Sequence, residues 1–409
     1  MKFLRKIGPQ QAESIKVTAL GAMFWAAFAF SPYQSVYLKR IGFSASSTGL
    51  LNAIAFVVAI VSVAFWGMVS DKIGSLKKIL FIVILGGSAL HALIPLVPTV
   101  FPAHSTMAFF LFIPFLSFFR ASMAPMAENI QVRNCNELRL NYGVSRAIGS
   151  LVFTASSWMA SFLLADFMDV SGTFLFTFLL FIPTLVLVLL VRNPEGRKNS
   201  SDDKEKKEKV DIKDLFKNKQ YMIFLLFSFL FYTACNCGNA FIPFFMEEIN
   251  ISGDKFGFFL AYRAFLEAPL LILMNRLRLK FDIQKLLMAG VIMMAVEGLL
   301  LCFFASSMST LLLATTFYGL GNGLFIGTSM NYLYQLAPAD LRASAQAFFA
   351  SVASVAGIVG NLFGGMLFDG IGAQYFYLFV CGAYIFSVVI FALSAALAKK
   401  GKKPKTAAA

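Results

Sequence analysis

Charge is what this chain has least of. Only 14% of its 409 residues are Asp, Glu, Lys or Arg, against about 25% in a soluble domain. A surface cannot be made compatible with water from so small a supply. Histidine is nearly missing, with His91 and His104 as the two copies. The five cysteines (Cys135, Cys235, Cys237, Cys302 and Cys381) form no Cys-x-x-Cys pair, so neither a zinc site nor a disulfide framework is indicated. A phosphate-cradling glycine loop, a metal-spaced cluster and a nucleophile–base pair are lacking too. No enzyme is indicated, no metal is implied and no cofactor is called for.

The net charge of +14 would point to nucleic acid in a soluble domain. Here the charges sit in short segments between apolar runs rather than on one face, so no nucleic-acid partner is expected. What fills the chain is apolar: 58% hydrophobic residues, 15% aromatic, 47 of them Phe. A spanning helix needs about 20 mostly apolar residues. Such runs recur near 15–38, 47–69, 78–97, 106–131, 140–165, 170–191, 220–246, 254–276, 285–305, 310–335, 341–368 and 374–398. They are continuous and lack the period-2 alternation of a barrel strand, which leaves helices as the spanning element. The first run, about 24 residues long, exceeds a signal-peptide core and has no small-residue cleavage site after it. We read it as a retained helix. The expected fold class is an all-α membrane protein of twelve transmembrane helices in two six-helix halves.

Lys and Arg set the orientation. Lys39, Arg40 and Lys255 fall on one side, and Arg120, Arg146 and Arg263 fall inside spans. The rest crowd onto the side that carries both ends and the long central segment. That side is cytoplasmic by the positive-inside rule, in a multi-pass protein of the plasma (inner) membrane. The predicted organisation is an N-terminal bundle (1–191), a charged linker (192–219) and a C-terminal bundle with a basic tail (220–409). The linker mixes both signs and reads as solvated, and its end, VDIKDLFKNK, reads as a short helix on the membrane surface. A weak echo relates the halves. Leu138-Arg139 and Leu341-Arg342 each precede an Asp (Asp166, Asp369), and Ala147/Ala350, Val152/Val355 and Leu164/Leu367 match in the same register. It fits a parallel duplication of a six-helix unit.

After the second span comes Gly67-Met-Val-Ser-Asp71-Lys72-Ile-Gly74-Ser-Leu-Lys77-Lys78. Gly67 is expected to admit a neighbouring helix and Asp71 to pair with a cation or a helix N-terminus. Gly74 makes the turn, and Lys77 and Lys78 anchor the third helix. The pattern resembles the G-x-x-x-D-[RK]-x-G-x-[RK]-[RK] signature of the major facilitator superfamily, whose fold that resemblance implies. In the matching place of the second half, Asn275-Arg276-Leu-Arg278-Leu279-Lys280-Phe-Asp282 keeps the basic residues but has Leu279 where the Asp would stand. Gly319, Gly323 and Gly327, and Gly360 with Gly364, recur at i, i+4 spacing, which suits close helix packing.

Six charges interrupt the apolar runs: Arg120 and Glu128, Arg146, Arg263 and Glu267, and Glu297. Each costs at least ~2.5 kcal/mol near the bilayer centre unless paired or hydrated, so they mark a pathway or pair with one another. Glu128 and Arg146 flank a short loop, and antiparallel helices bring them to similar depth. A structural ion pair is the plain alternative. The frame Asn-Tyr-Gly-Val-Ser-Arg146-Ala-Ile-Gly149 resembles the lactose-permease group of oligosaccharide/proton symporters, in which a Glu and an Arg on these helices bind sugar. That group carries a Trp seven residues after the Arg; Phe153 stands there, which puts a galactoside preference in doubt. Glu267-Ala-Pro269 resembles the wider permease group.

Arg263 and Glu267 share a helix face. A carboxyl in a low-dielectric cavity is the group a proton symporter needs, which makes Glu267 the first choice for coupling, with pairing to Arg263 as the alternative. The group's His–Glu pair on the tenth helix is missing. Trp25, Tyr33, Asn236, Asn239, Tyr262 and Gln346 are further candidates for lining a cavity, each equally suited to helix packing. Glu297 receives no role.

The resemblance implies a monomeric secondary transporter working by alternating access, with a small-molecule substrate, protons and the bilayer as its partners and the proton gradient as its energy source. A sugar or oligosaccharide is the first substrate class; a nucleoside or a small aromatic or organic acid is the second. A drug/proton exporter is disfavoured, since the fifth span lacks proline, and a receptor or scaffold would not need the pathway charges. A cysteine replacing Lys255, in a background without the native cysteines, is expected to react with an impermeant maleimide on intact cells. One replacing Lys72 should react only after permeabilisation; the reverse pattern would invert the topology.

Overall fold

In the computed structural model, which describes residues 9–194 and 213–400, twelve of the described helices are long and apolar enough to cross a membrane. They are α1 (Gln10–Arg40), α2 (Ala45–Ile73), α3 (Leu76–Val100), α4 (Ser105–Glu137), α5 (Tyr142–Asp166), α6 (Val170–Leu190), α7 (Lys219–Ala240), α8 (Gly253–Met274), α9 (Ile283–Phe303), α10 (Met308–Leu336), α11 (Ser344–Ile371) and α12 (Ala373–Ser394). The bulk of the charged linker and the basic tail lie outside the described residues. Of the predicted surface helix only Lys213–Lys217 is described as helical. Leu215 is buried there and Phe216 meets Phe348 of α11 edge-on, so that turn packs on protein.

Proline explains the main departure from the expected spans. The ring of a proline clashes with the carbonyl four residues back. In α1 the regular helix stops at Phe28, four before Pro32, and resumes at Tyr33. The seventh run was expected to continue to 246, but α7 ends at Ala240 and a separate helix, Ile242–Glu248, follows with Pro243 in its first turn. The same device therefore breaks the first and the seventh spans near the same end.

Two compact units form. The described residues up to 194 join with Ile251–Ala264, and those from 213 to 250 join with Phe265 onward. In the first unit α1 packs on α5, α6 and α4, and α3 packs on α4 and α6. In the second, α7 packs on α11 and α12, and α9 on α10 and α12. These contacts repeat with each helix advanced by six. Val17, Leu20, Phe24 and Ala27 follow helical spacing and face the core of the first unit with Val83, Met126 and Phe181. The second unit is held by rings: Phe231 stacks on Phe325 and Phe227 on Phe391. Such pairs are worth about 0.5–1.5 kcal/mol beyond their area. Val61, Leu111 and Ile272 are well exposed on the outer helix faces, which is tolerable only in lipid.

The first turn of a helix has N–H groups without internal partners, and lipid supplies none. At the start of α8 the Gly257 N–H donates to the Tyr33 hydroxyl (2.9 Å) and the Phe258 N–H to Ser161 Oγ (2.7 Å). Both acceptors come from other helices of the first unit. A Cβ on Gly257 would lie 2.2 Å from the Ser157 carbonyl oxygen, so only glycine lets this joint close. On the same unit Arg40 pairs with Asp169, the residue just before α6. Burial opposes ionisation of Asp169, but Arg40, the Val170 N–H and Ser171 outweigh it and hold the carboxyl below its ordinary range. A depressed carboxyl contributes above its unfolded pKa, so this tie is complete at neutral pH and is lost only as acid takes the pH down through the lowered value. Gly257→Val is expected to lower stability by about 1–3 kcal/mol through overpacking, and Tyr33→Phe by about 1 kcal/mol, read as thermal midpoints in detergent. Unchanged midpoints in both would remove this joint from the supports of the fold.

Candidate transport site

In the first unit the site is built where α4 and α5 meet α1. Asn141 caps α5 by accepting the Gly143 N–H (2.9 Å), which places Arg146 in the second turn. Glu128 lies nine residues before the end of α4. The expected pairing forms, with Arg146 Nε 3.3 Å from Glu128 Oε1. Both side chains are more than a third exposed, so the pair is reachable from outside the helix packing. Arg146 Nη1 also donates to Ser150 Oγ (3.0 Å), one turn on. The guanidinium carbon lies 4.4 Å from the centre of the Trp25 ring. Phe153 meets that indole edge-on at 6.2 Å. A Cβ on Gly149 would come within 2.8 Å of Trp25 Cδ1, so glycine is what lets α5 lie against the indole. The sequence pointed to Glu128 and Arg146 as a pair, and to Trp25 and Phe153 singly; Ser150 and Gly149 went unnoticed as participants, although their spacing from Arg146 put them on its face.

Arg120 does not join this group. Eight residues separate it from Glu128, about 12 Å along α4. Its Nη1 donates to Gln34 Oε1 (2.6 Å) on α1. His91 of α3, buried against the Phe174 ring, lies in electrostatic range of Arg120. Gln34 and Arg120 thus form a second polar layer on the same two helices that carry Trp25 and Glu128. Tyr262 is half-buried on the first half of α8, and Arg263 is buried with its guanidinium over the Phe259 ring at 5.4 Å.

In the second unit the polar groups centre on α10. Asn239 Nδ2 donates to the Tyr318 hydroxyl (2.7 Å), and Cys235 Sγ is 3.4 Å from the same oxygen. One turn on, Asn322 Nδ2 donates to Glu267 Oε1 (2.8 Å). Tyr318 and Asn322, neither singled out from sequence, share a face at i, i+4. Gly323 lets α10 approach the Glu267 carbonyl to within 3.0 Å of where its Cβ would be, as the glycine spacing suggested. Asn236 spends its amide donor on the Tyr232 carbonyl of its own helix (2.8 Å). Glu297 is buried and accepts from Thr315 Oγ1 (2.9 Å) across the α9–α10 contact, so it ties two helices together. Tyr33 caps α8, as described above, and Gln346 accepts from Tyr334.

The loop between α2 and α3 keeps most of its expected geometry. Gly74 ends α2 at φ +65° with its N–H on the Ser70 and Asp71 carbonyls, a left-handed cap that glycine adopts at least cost. Lys77 Nζ donates to the Val191 carbonyl (2.9 Å), and also to that of Leu189, placing a cation on the unsatisfied end of α6. Lys72 and Lys78 are exposed. One expectation fails. Gly67 admits no neighbouring helix: a Cβ there would meet nothing within 4 Å. It instead forms the wall of an open groove that Asp71 shares with Asn129 and Arg133. The corresponding groove in the second unit is lined by Arg278, Leu279, Asp282 and Gln335, with Leu279 offering no charge.

Twelve spans, a repeated packing scheme and charges gathered inside each unit define a multi-pass membrane transporter. A family profile described as "MFS_1 like family" matches residues 19–379, and the chain belongs to that family. A maltose permease of Geobacillus stearothermophilus is 25% identical over 369 residues, covering 88% of this chain and 89% of that protein. A putative nucleoside transporter of Escherichia coli, YegT, is 22% identical over 354 residues, covering 82% and 79%. The crystal structure of the nucleoside transporter NupG superposes with a TM-score of 0.76 at 17% identity, covering 93% of this chain and 98% of that one, which shows a common fold.

Lysine cannot reproduce a planar fork that is at once paired and stacked. Arg146→Lys is expected to cut initial uptake at least about tenfold. Its stability, read from the thermal midpoint, should change by no more than about 0.2–1 kcal/mol, the worth of a half-exposed pair. Uptake that survives the exchange would return Glu128–Arg146 to a structural role.

Proposed function

We propose that this transporter takes up a hydroxylated ring solute, a sugar or oligosaccharide first, together with protons, by alternating access. The observation that carries the reading is the Glu128–Arg146 pair lying open against Trp25 and Phe153. A carboxylate that accepts and a guanidinium that donates can bracket vicinal hydroxyls, while aromatic carbon suits the flat face of a ring. The name of the maltose permease relative agrees with a sugar. Glu267, half-buried and held by Asn322, is the proton carrier in this reading. Arg263 stands one turn away on the same helix and sets its electrostatic surroundings. The protein works as a monomer in the inner membrane with both ends in the cytoplasm.

A nucleoside is the second reading. It is favoured by the names of YegT and NupG and by the same aromatic surface, which suits a base as well as a sugar.

Proteoliposomes with and without an inward proton gradient decide between these when offered maltose, uridine and a small aromatic acid. Gradient-driven accumulation of maltose supports the first reading and of uridine the second. Accumulation indifferent to the gradient would end symport. Glu267→Gln is expected to abolish gradient-driven accumulation while leaving exchange down a substrate gradient, and Glu128→Gln to abolish both.

A further inference from the structure

Arg120 lies in the middle of α4 with a charge that nothing nearby neutralises. Its Nη1 donates to the Gln34 amide oxygen (2.6 Å), a neutral partner. Among the described residues no carboxylate stands within ion-pair distance of it. Glu128, eight residues on, is engaged by Arg146. A guanidinium keeps its proton in any protein setting, so Arg120 cannot escape the cost of a lone buried charge by becoming neutral. His91 of α3 stands beside it. Gly87 brings α3 close to α4 at this level, since a Cβ there would lie 3.4 Å from the Arg120 backbone nitrogen. His91 follows one turn later on the same face. It is 2% exposed, and neither ring nitrogen has a hydrogen-bond partner among the described residues. The Phe174 ring backs it at 4.9 Å.

These three side chains are rich in donors and poor in acceptors. A guanidinium has five N–H donors and no acceptor, an amide two donors, and a neutral imidazole one donor and one acceptor. The Gln34 oxygen is already used by Arg120. A water molecule donates as readily as it accepts and carries no charge, so it would match neither the excess of donors nor the positive charge. A ligand that only accepts and is negatively charged matches both. Gln34 and His91 are buried and Arg120 is half-buried, so the ligand has to be small at the end that enters. We propose that Gln34, His91 and Arg120 form a binding site for one small monoanion, a halide or a single carboxylate group. A free anion and the acid group of a solute share this chemistry. The site lies a layer away from Glu128–Arg146 and does not depend on which solute that pair binds.

The test uses the full chain, purified in detergent with a bulky morpholine sulfonate as the buffer anion. Chloride or benzoate then replaces the sulfonate at constant ionic strength, and the thermal midpoint is followed. The midpoint should rise saturably, and an anion at ten times its half-saturating concentration should favour the folded state about elevenfold. Arg120→Gln removes the cation and should abolish the rise. Gln34→Glu places a carboxylate oxygen where Arg120 already donates. It should raise the midpoint in the sulfonate buffer and make it indifferent to added anion, a loss of response that misfolding cannot explain. Benzoate separates the two sources. If it raises the midpoint through Arg120 and is also taken up by proteoliposomes, the site serves the acid group of a solute; any other saturable response assigns it to a free anion. A midpoint that ignores both anions, or a rise that survives either substitution, overturns the site. Neither result bears on maltose or uridine, whose readings are decided by uptake.

Discussion

In hydrocarbon a peptide group has no water to bond, and each one left unsatisfied costs several kcal/mol. The architecture depends on that constraint. It makes the chain helical wherever it crosses, and it allows irregular backbone only where another group makes good the loss. Pro32 and Pro243 each end a regular helix within a turn. Tyr33 and Ser161 accept the first N–H groups of α8, and Lys77 donates to the last carbonyls of α6. Each repair is a side chain from a different helix, so satisfying the backbone also fixes which helices are neighbours.

Lipid also removes the usual reason for helices to associate, since leaving it for a neighbour gains no hydrophobic energy. Close contact takes its place. Gly290 and Gly321 bring α9 and α10 together almost backbone to backbone, and Gly360 brings α11 onto the Thr233 carbonyl of α7. The same means serves the site. Gly149 sets the distance between α5 and Trp25, and Gly323 sets α10 beside Glu267. Polar groups are therefore positioned by closely packed backbones.

The units share a packing scheme but differ in chemistry. The first presents paired opposite charges against aromatic carbon. The second presents amides and a phenol around a single carboxylate, Glu267. The loss of the loop carboxylate at Leu279 adds to this asymmetry.

The spans, their orientation bias and the i, i+4 glycine spacings were legible in the chain because each is a local property of residues within a few turns. The interior charges stood out for the same reason: their burial cost is felt wherever the helix places them. Glu128 and Arg146 were legible as a pair because only a short loop separates their helices. Gly67 was misread, since a glycine before a turn looks the same whether it faces a helix or an open groove. Arg120 was grouped with Glu128 although a helical rise of eight residues sets them in different layers. The sequence by itself determined how many helices cross and which side chains had to find partners. Only the tertiary structure decided the partners, putting Arg146 on Trp25, Glu267 on Asn322 and Glu297 on Thr315. Those contacts join separate helices, and no periodicity along one helix records which face of another it will meet.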